Sequence, residues 1–164
     1  MLEVGLANYV STLRFKKGEY QGMAALDDGL KDRLLPHIII PPMSMRDIEL
    51  NRKLTRDEFA AVQVGRLSAQ WGRRPCLLDC RYVELAPGQV TDAKRLSAFL
   101  LAASQFGCGV IPVFDLQTNE HRIEAIRDHW LKTGNGLALR LSFSDLDRRQ
   151  LSSVVQQKLL KLVS

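Results

Sequence analysis

The stretch Gly109-Val110-Ile111-Pro112-Val113-Phe114-Asp115-Leu116 decides the fold class. It is an apolar run that ends in a carboxylate, and a segment of helical spacing follows it. A strand with one wet face alternates apolar and polar residues. A continuous apolar run between turn residues instead suits a strand buried on both faces, as in a parallel sheet. Two further stretches have the same character: Pro75-Cys76-Leu77-Leu78-Asp79-Cys80 and Gly136-Leu137-Ala138-Leu139-Arg140-Leu141. Repeated alternation of such strands with helices predicts an α/β fold.

Working outward, the chain reads as five strand–helix units with no linker or low-complexity segment between them, hence a single domain over residues 1–164. The first strand is expected over residues 8–15 and the second over 36–40, where Pro41-Pro42 removes two backbone donors and ends it. Thr55-Arg56-Asp57-Glu58 is a capping box, and Ala60, Val64, Leu67 and Trp71 recur behind it at helical spacing up to Gly72. The third strand is expected over 76–80. Thr91 then caps a helix whose apolar face is Leu96, Phe99, Leu100 and Ala103. After the fourth strand, Thr118 is placed as the cap of a helix carrying Ile123, Ile126 and Trp130. The fifth strand is expected over 137–143. Ser144 opens the last helix, with Asp145 and Asp147 in its first turn and a stripe of Leu151, Val154, Val155, Leu159 and Leu162.

The whole-chain numbers narrow the function classes. A length of 164 residues allows a sizeable core. Net charge is +5 and pI about 9.3, which favours anionic partners, but no block of five or six like charges occurs, so nucleic acid is only weakly supported. The three cysteines, Cys76, Cys80 and Cys108, lie in or beside apolar strands and read as small core residues in a reducing compartment, which implies the cytoplasm. Residues 1–7 are too short and too acidic for a secretion signal, and no apolar run approaches membrane-spanning length.

Connections from helix to strand are short, while two of those from strand to helix, residues 43–54 and 81–90, are long. In βα folds the carboxyl ends of the strands hold the working site. Lys16, Lys17, Glu19, Asp79, Arg81, Asp115, Arg140 and Ser142 fall there. Asp79 and Asp115 are the leading candidates, because an acid that ends an apolar strand must be paired, hydrated or metal-bound. Together they could hold a hard cation such as Mg²⁺ or do acid–base work; the plain alternative is that each caps a helix or pairs with a basic neighbour. Lys16 and Arg140 suit either those acids or a phosphate, and Glu19 suits the first turn of a helix. His37 reads as a core or edge residue beside a strand. His121 and His129 are too far apart to chelate together. Arg73-Arg74 is expected at the opposite end of the sheet and in solvent. No GxGxxG after the first strand, no GxxxxGK[ST] and no GxSxG is present, so dinucleotide, P-loop and serine-hydrolase readings fall.

The chain resembles the Beta protein family of phages and prophages. The resemblance runs over residues 8–143. It is carried by Tyr9 and Leu13, Lys16-Lys17-Gly18-Glu19-Tyr20, Leu26-Asp27, Leu30-Lys31-Asp32-Arg33 and Leu35-Pro36 with residues 38–42. Trp71-Gly72, Leu77-Leu78-Asp79 and residues 109–115 continue it. It implies a TIM-barrel-like fold with Lys16, Glu19, Asp79, Asp115 and Arg140 facing the mouth of the barrel. It also implies a partner, since the family's Beta protein accompanies a killer protein and counters its toxicity. An eight-unit barrel needs a longer chain, so five units are expected to form a partial barrel, either a natural truncation or one that associates with something that completes the sheet. A doubly wound open sheet is the alternative.

Two functions follow as expectations. The favoured one is a binding protein, an immunity, anti-toxin or defence component with a protein partner, in a homo-oligomer or a complex, with no cofactor. Lys16, Glu19, Arg81 and Arg140 would line its binding surface. The other is a metal-dependent phosphoester hydrolase with Asp79 and Asp115 as catalytic ligands of Mg²⁺.

Overall fold

A computed structural model describes residues 9–43, 46–83, 93–147 and 149–163. The elements run β1 (Thr12–Arg14), α1 (Lys17–Ala24), α2 (Asp28–Lys31), β2 (His37–Ile39), α3 (Arg56–Trp71), β3 (Pro75–Asp79), α4 (Ala93–Gln105), β4 (Gly109–Asp115), α5 (Glu120–Thr133), β5 (Ala138–Arg140), α6 (Phe143–Leu146) and α7 (Leu151–Val163). The five strands make one parallel sheet in the order β1-β2-β3-β4-β5. The continuous apolar run of β4 is buried from Gly109 to Phe114. Gly109 lets the strand enter close to its neighbour: a Cβ there would lie 2.8 Å from the Arg73 carbonyl and 2.9 Å from that of Arg74.

A doubly wound sheet reverses its strand order and puts helices on both faces. This order is sequential. α1 packs on α3, α3 on α4, α4 on α5, and α5 on α7. One layer of helices therefore covers one face, the arrangement that successive crossovers of a single hand produce and that a barrel shares. Among the described residues the sheet does not close into a barrel: β1 and β5 are its two edges.

Strand alternation sorts the side chains. Leu13, Ile38, Cys76, Leu78, Val110 and Phe114 join the helix-side core with Val64, Leu67 and Trp71 of α3, Leu96, Phe99, Leu100 and Ala103 of α4, and Ile123 and Ile126 of α5. Thr12, His37, Leu77 and Ile111 share the opposite face, as do Arg14, Ile39, Asp79, Val113, Asp115 and Arg140. All three cysteines are free and buried, and burial pushes the Cys76 thiol well up.

Several sequence expectations need correction. The first and fifth strands are three residues each, not eight and seven, because a strand at a sheet edge pairs only where its one neighbour reaches. Only an isolated bridge, Tyr9 to Leu34, extends β1's side. Asn119, not Thr118, caps α5, its side chain accepting from the Arg122 amide. Ser142, not Ser144, opens the segment after β5, with Asp145 completing a capping box on the short α6. The last helix begins later, at Leu151, and of its stripe only Leu162 is buried. Arg74 is not simply solvated: it pairs with Asp28 and Asp32 around α2. The Thr55–Glu58 box forms as expected. The Thr91 cap, and residues 84–90 of the long connection before it, lie outside the described residues.

Candidate functional site

Asp79 ends β3 and Asp115 ends β4, each on the sheet face away from the helices. Strand alternation puts them there, and the parallel register brings both to the carboxyl edge. Asp79 is 3 % exposed. Its Oδ1 accepts from the Arg81 amide at 3.0 Å, and its Oδ2 accepts from Arg81 Nε at 3.0 Å and from Nη2. Arg81 in turn lies over the Tyr82 ring, 5.7 Å from its centroid. His37 Nε2 stands 3.4 Å from Asp79 Oδ2, close enough for an ion pair but poorly angled for a hydrogen bond. The other ring nitrogen, Nδ1, is 3.3 Å from Thr12 Oγ1. Burial works against the Asp79 carboxylate, yet His37 and Arg81 outweigh it and hold the acid well below its usual range.

Asp115 is less enclosed. Its Oδ1 accepts from Thr118 Oγ1 at 2.8 Å, and Oδ2 accepts from Arg140 Nη2. Thr118 also receives the Asp115 amide at 2.9 Å, which explains why its hydroxyl is not used as a helix cap. Here too burial opposes ionisation, and the bonds from Thr118 and Arg140 prevail and lower the acid's pKa. Arg140 links the two acids, because its Nε is also 3.9 Å from Asp79 Oδ2. Arg122, donating from Nη2 to the Cys80 carbonyl at 3.1 Å, borders the same cavity of about 220 Å³.

The structure thus gathers Asp79, Arg81, Asp115 and Arg140 and separates Lys16 and Glu19 from them. Lys16, the residue before α1, lines a different and larger cavity of about 710 Å³ with Arg14 and Tyr20. Glu19 lies in the first turn of α1, half-buried, and borders neither cavity. Sequence reasoning missed His37, Thr118 and Arg122 as members of the network. His129 is buried and bonds near Ser104 and the Val110 carbonyl, away from this edge. Among the described residues no group of three or more His, Cys, Asp or Glu side chains is placed to hold a metal ion. No described helix is long and apolar enough to cross a membrane.

With that geometry in view, the comparison with known families is decisive on kinship. Residues 9–163 match the model of the Beta protein family. This chain belongs to the Beta protein family. The match extends past residue 143, where the sequence resemblance ended, and takes in the rest of α6 and all of α7. Neither a curated protein nor a solved structure matches the chain. The sheet edge of this Beta-family chain presents two carboxylates, each held by an arginine, with a histidine behind one and a threonine behind the other.

Proposed function

We propose that this Beta-family chain acts by binding a protein, as a phage- or prophage-associated immunity or anti-toxin component working in the cytoplasm. The observation that carries the reading is the mutual compensation of the strand-end charges. Asp79 is matched by Arg81 and His37, and Asp115 by Arg140, so the site's strongest acids are spent within the fold. Apolar side chains also stand exposed in the segments that follow β2 and β5. Ile48, after β2, is 89 % exposed, and Phe143, after β5, is 91 % exposed, with Leu50, Leu141 and Leu146 also in solvent. Exposed aromatic and aliphatic side chains on loops around a rigid sheet can serve as anchors for a partner. The protein partner would be a toxin encoded with this chain. Among the described residues the outer edges of β1 and β5 are unpaired, which favours a complex or a homo-oligomer over a lone subunit.

The test is protection of cells that express the killer gene of the same mobile element. Ile48→Asp with Phe143→Asp should abolish protection, and Asp115→Asn should retain it, with circular dichroism showing both proteins folded. The opposite pattern would overturn the reading in favour of a second one, a metal-dependent phosphoester hydrolase using Mg²⁺. One observation favours that alternative: Asp79, Asp115 and Arg140 border one cavity. Under it, Asp115→Asn would remove a ligand charge that an amide cannot replace.

A further inference from the structure

We infer that the larger cavity, between the end of β1, the N-terminus of α1 and the β2–α3 connection, is a binding site for a nucleoside monophosphate. The cavity measures about 710 Å³, within the range of about 300–1,000 Å³ typical of small-molecule sites. Nothing in it belongs to the Asp79–Asp115 network except the neighbouring Tyr82 ring.

Charge placement identifies the anionic end. The two carboxylates on the wall are already committed. Asp47 accepts from both terminal nitrogens of Arg66 at 2.8 Å, and Glu49 pairs with Arg66 Nε at 2.8 Å and more loosely with Lys17. The side chains of Arg14 and Lys16 line the same space and have no hydrogen bond or ion pair among the described residues. Between them the chain starts α1. Its N-cap is Lys16, whose side chain makes no capping bond. The Glu19 and Tyr20 amides reach the Lys16 carbonyl, which leaves those of Lys17 and Gly18 without an acceptor among the described residues. Free amides at the positive end of a helix, beside a guanidinium and an ammonium, suit a phosphate. Space is open there: a Cβ on Gly18 would meet nothing within 4 Å.

A second observation, independent of the helix end, points to a ligand. Gln63 on α3 is 5 % exposed and its side chain reaches the cavity wall, yet its Oε1 is sealed from solvent with no hydrogen-bond partner. A buried carboxamide left this way costs stability unless something else completes it. The edge of a nucleobase carries both donors and acceptors and satisfies an amide in either orientation. Most of the remaining wall is apolar, with Phe15, Ile39, Ile48, Leu54, Phe59 and Tyr82 in it beside the charged Arg46, which fits a flat ring. The phosphate thus binds at Arg14, Lys16 and the α1 amides, and the base lies against the apolar wall with one edge on the Gln63 carboxamide, which turns to present Oε1.

The experiment is isothermal titration of the whole chain with the four common ribonucleoside monophosphates, the matching nucleosides, ribose 5-phosphate, inorganic phosphate and glutamate. At least one monophosphate should bind about tenfold or more tightly than its nucleoside and than ribose 5-phosphate. Lys16→Glu, a surface change that leaves the core alone, should weaken it by about tenfold or more. Gln63→Leu should weaken the monophosphate and leave inorganic phosphate unchanged; its thermal melt shows whether the fold survives, and Lys16→Glu decides the matter if it does not. No binding of any monophosphate at millimolar concentration would overturn the inference. So would equal affinity for inorganic phosphate, a preference for glutamate, or indifference to Lys16→Glu. Phe143→Asp, which lies outside this cavity, should leave the affinity intact, which separates this site from the protein-binding surface.

Discussion

Arg140 on β5 pairs through Nη2 with the Asp115 carboxylate on β4, and the two residues are direct register partners across those strands. The pair therefore fastens the edge strand to the sheet as well as neutralising the acid. A double-mutant cycle with Arg140→Met and Asp115→Asn should give a coupling energy of about 1–2 kcal/mol, above that of exposed ion pairs because both side chains are partly buried. Urea unfolding of the four proteins measures it. A coupling near zero would mean that Thr118 alone suffices to hold Asp115.

Acid should unfold this protein through its paired aspartates. Arg66 holds the Asp47 carboxyl down at about 2, from an ordinary value of 3.8. A folded-state pKa below the unfolded one means that the unfolded chain binds the proton more readily. The pairing therefore stabilises above about pH 4 and is lost as pH falls toward about 2. Asp79, also held low, adds to the same acid limb. The urea midpoint should fall over this window, and Arg66→Met should make the fall shallower. An unchanged slope in that variant would show that the amides of Glu49 and Leu50, which also donate to Asp47, suffice without Arg66.

The α3 cap gives a local test. Thr55 Oγ1 accepts from the Glu58 amide, and Glu58 Oε2 accepts from the Thr55 amide at 2.8 Å. Thr55→Ala removes the hydroxyl half of this exchange and should cost about 1 kcal/mol. Thermal unfolding reads the loss, and Thr55→Ser should restore most of it.

How much of this was legible in the sequence depended on whether one segment carried the signal. The runs at Pro75–Asp79 and Gly109–Asp115 announced buried parallel strands because burial on both faces leaves a mark on every residue. The edge strands carried a weaker mark. Leu141 and Phe143 continue an apolar run, yet both are exposed, and nothing in that run shows where pairing stops. Asp79 and Asp115 stood out as acids closing apolar stretches. His37 did not, since its approach to Asp79 depends on the β2–β3 register, which aligns Ile39 with Asp79. Gln63 had a signal that went unread: it sits four residues from both Phe59 and Leu67, a polar residue in a buried helical row.

Two glycines should respond to alanine in opposite directions. Gly109 opens β4 where a Cβ would press on the Arg73 and Arg74 carbonyls at 2.8 and 2.9 Å, and both obstacles are backbone that cannot swing aside. Gly109→Ala must therefore shift β4 or the turn before β3, at a cost of about 1–3 kcal/mol by analogy with overpacked cores. Gly22 lies inside α1 with nothing within 4 Å of a Cβ. Alanine there limits the freedom of the unfolded chain and should stabilise the protein by about 0.5–1 kcal/mol. Urea midpoints for the two variants settle both signs in one experiment. If Gly109→Ala proved neutral, β4 and the Arg73–Arg74 turn would have to be farther apart in solution than the contact requires. If Gly22→Ala proved destabilising, α1 would have to bury that face against something outside the described residues.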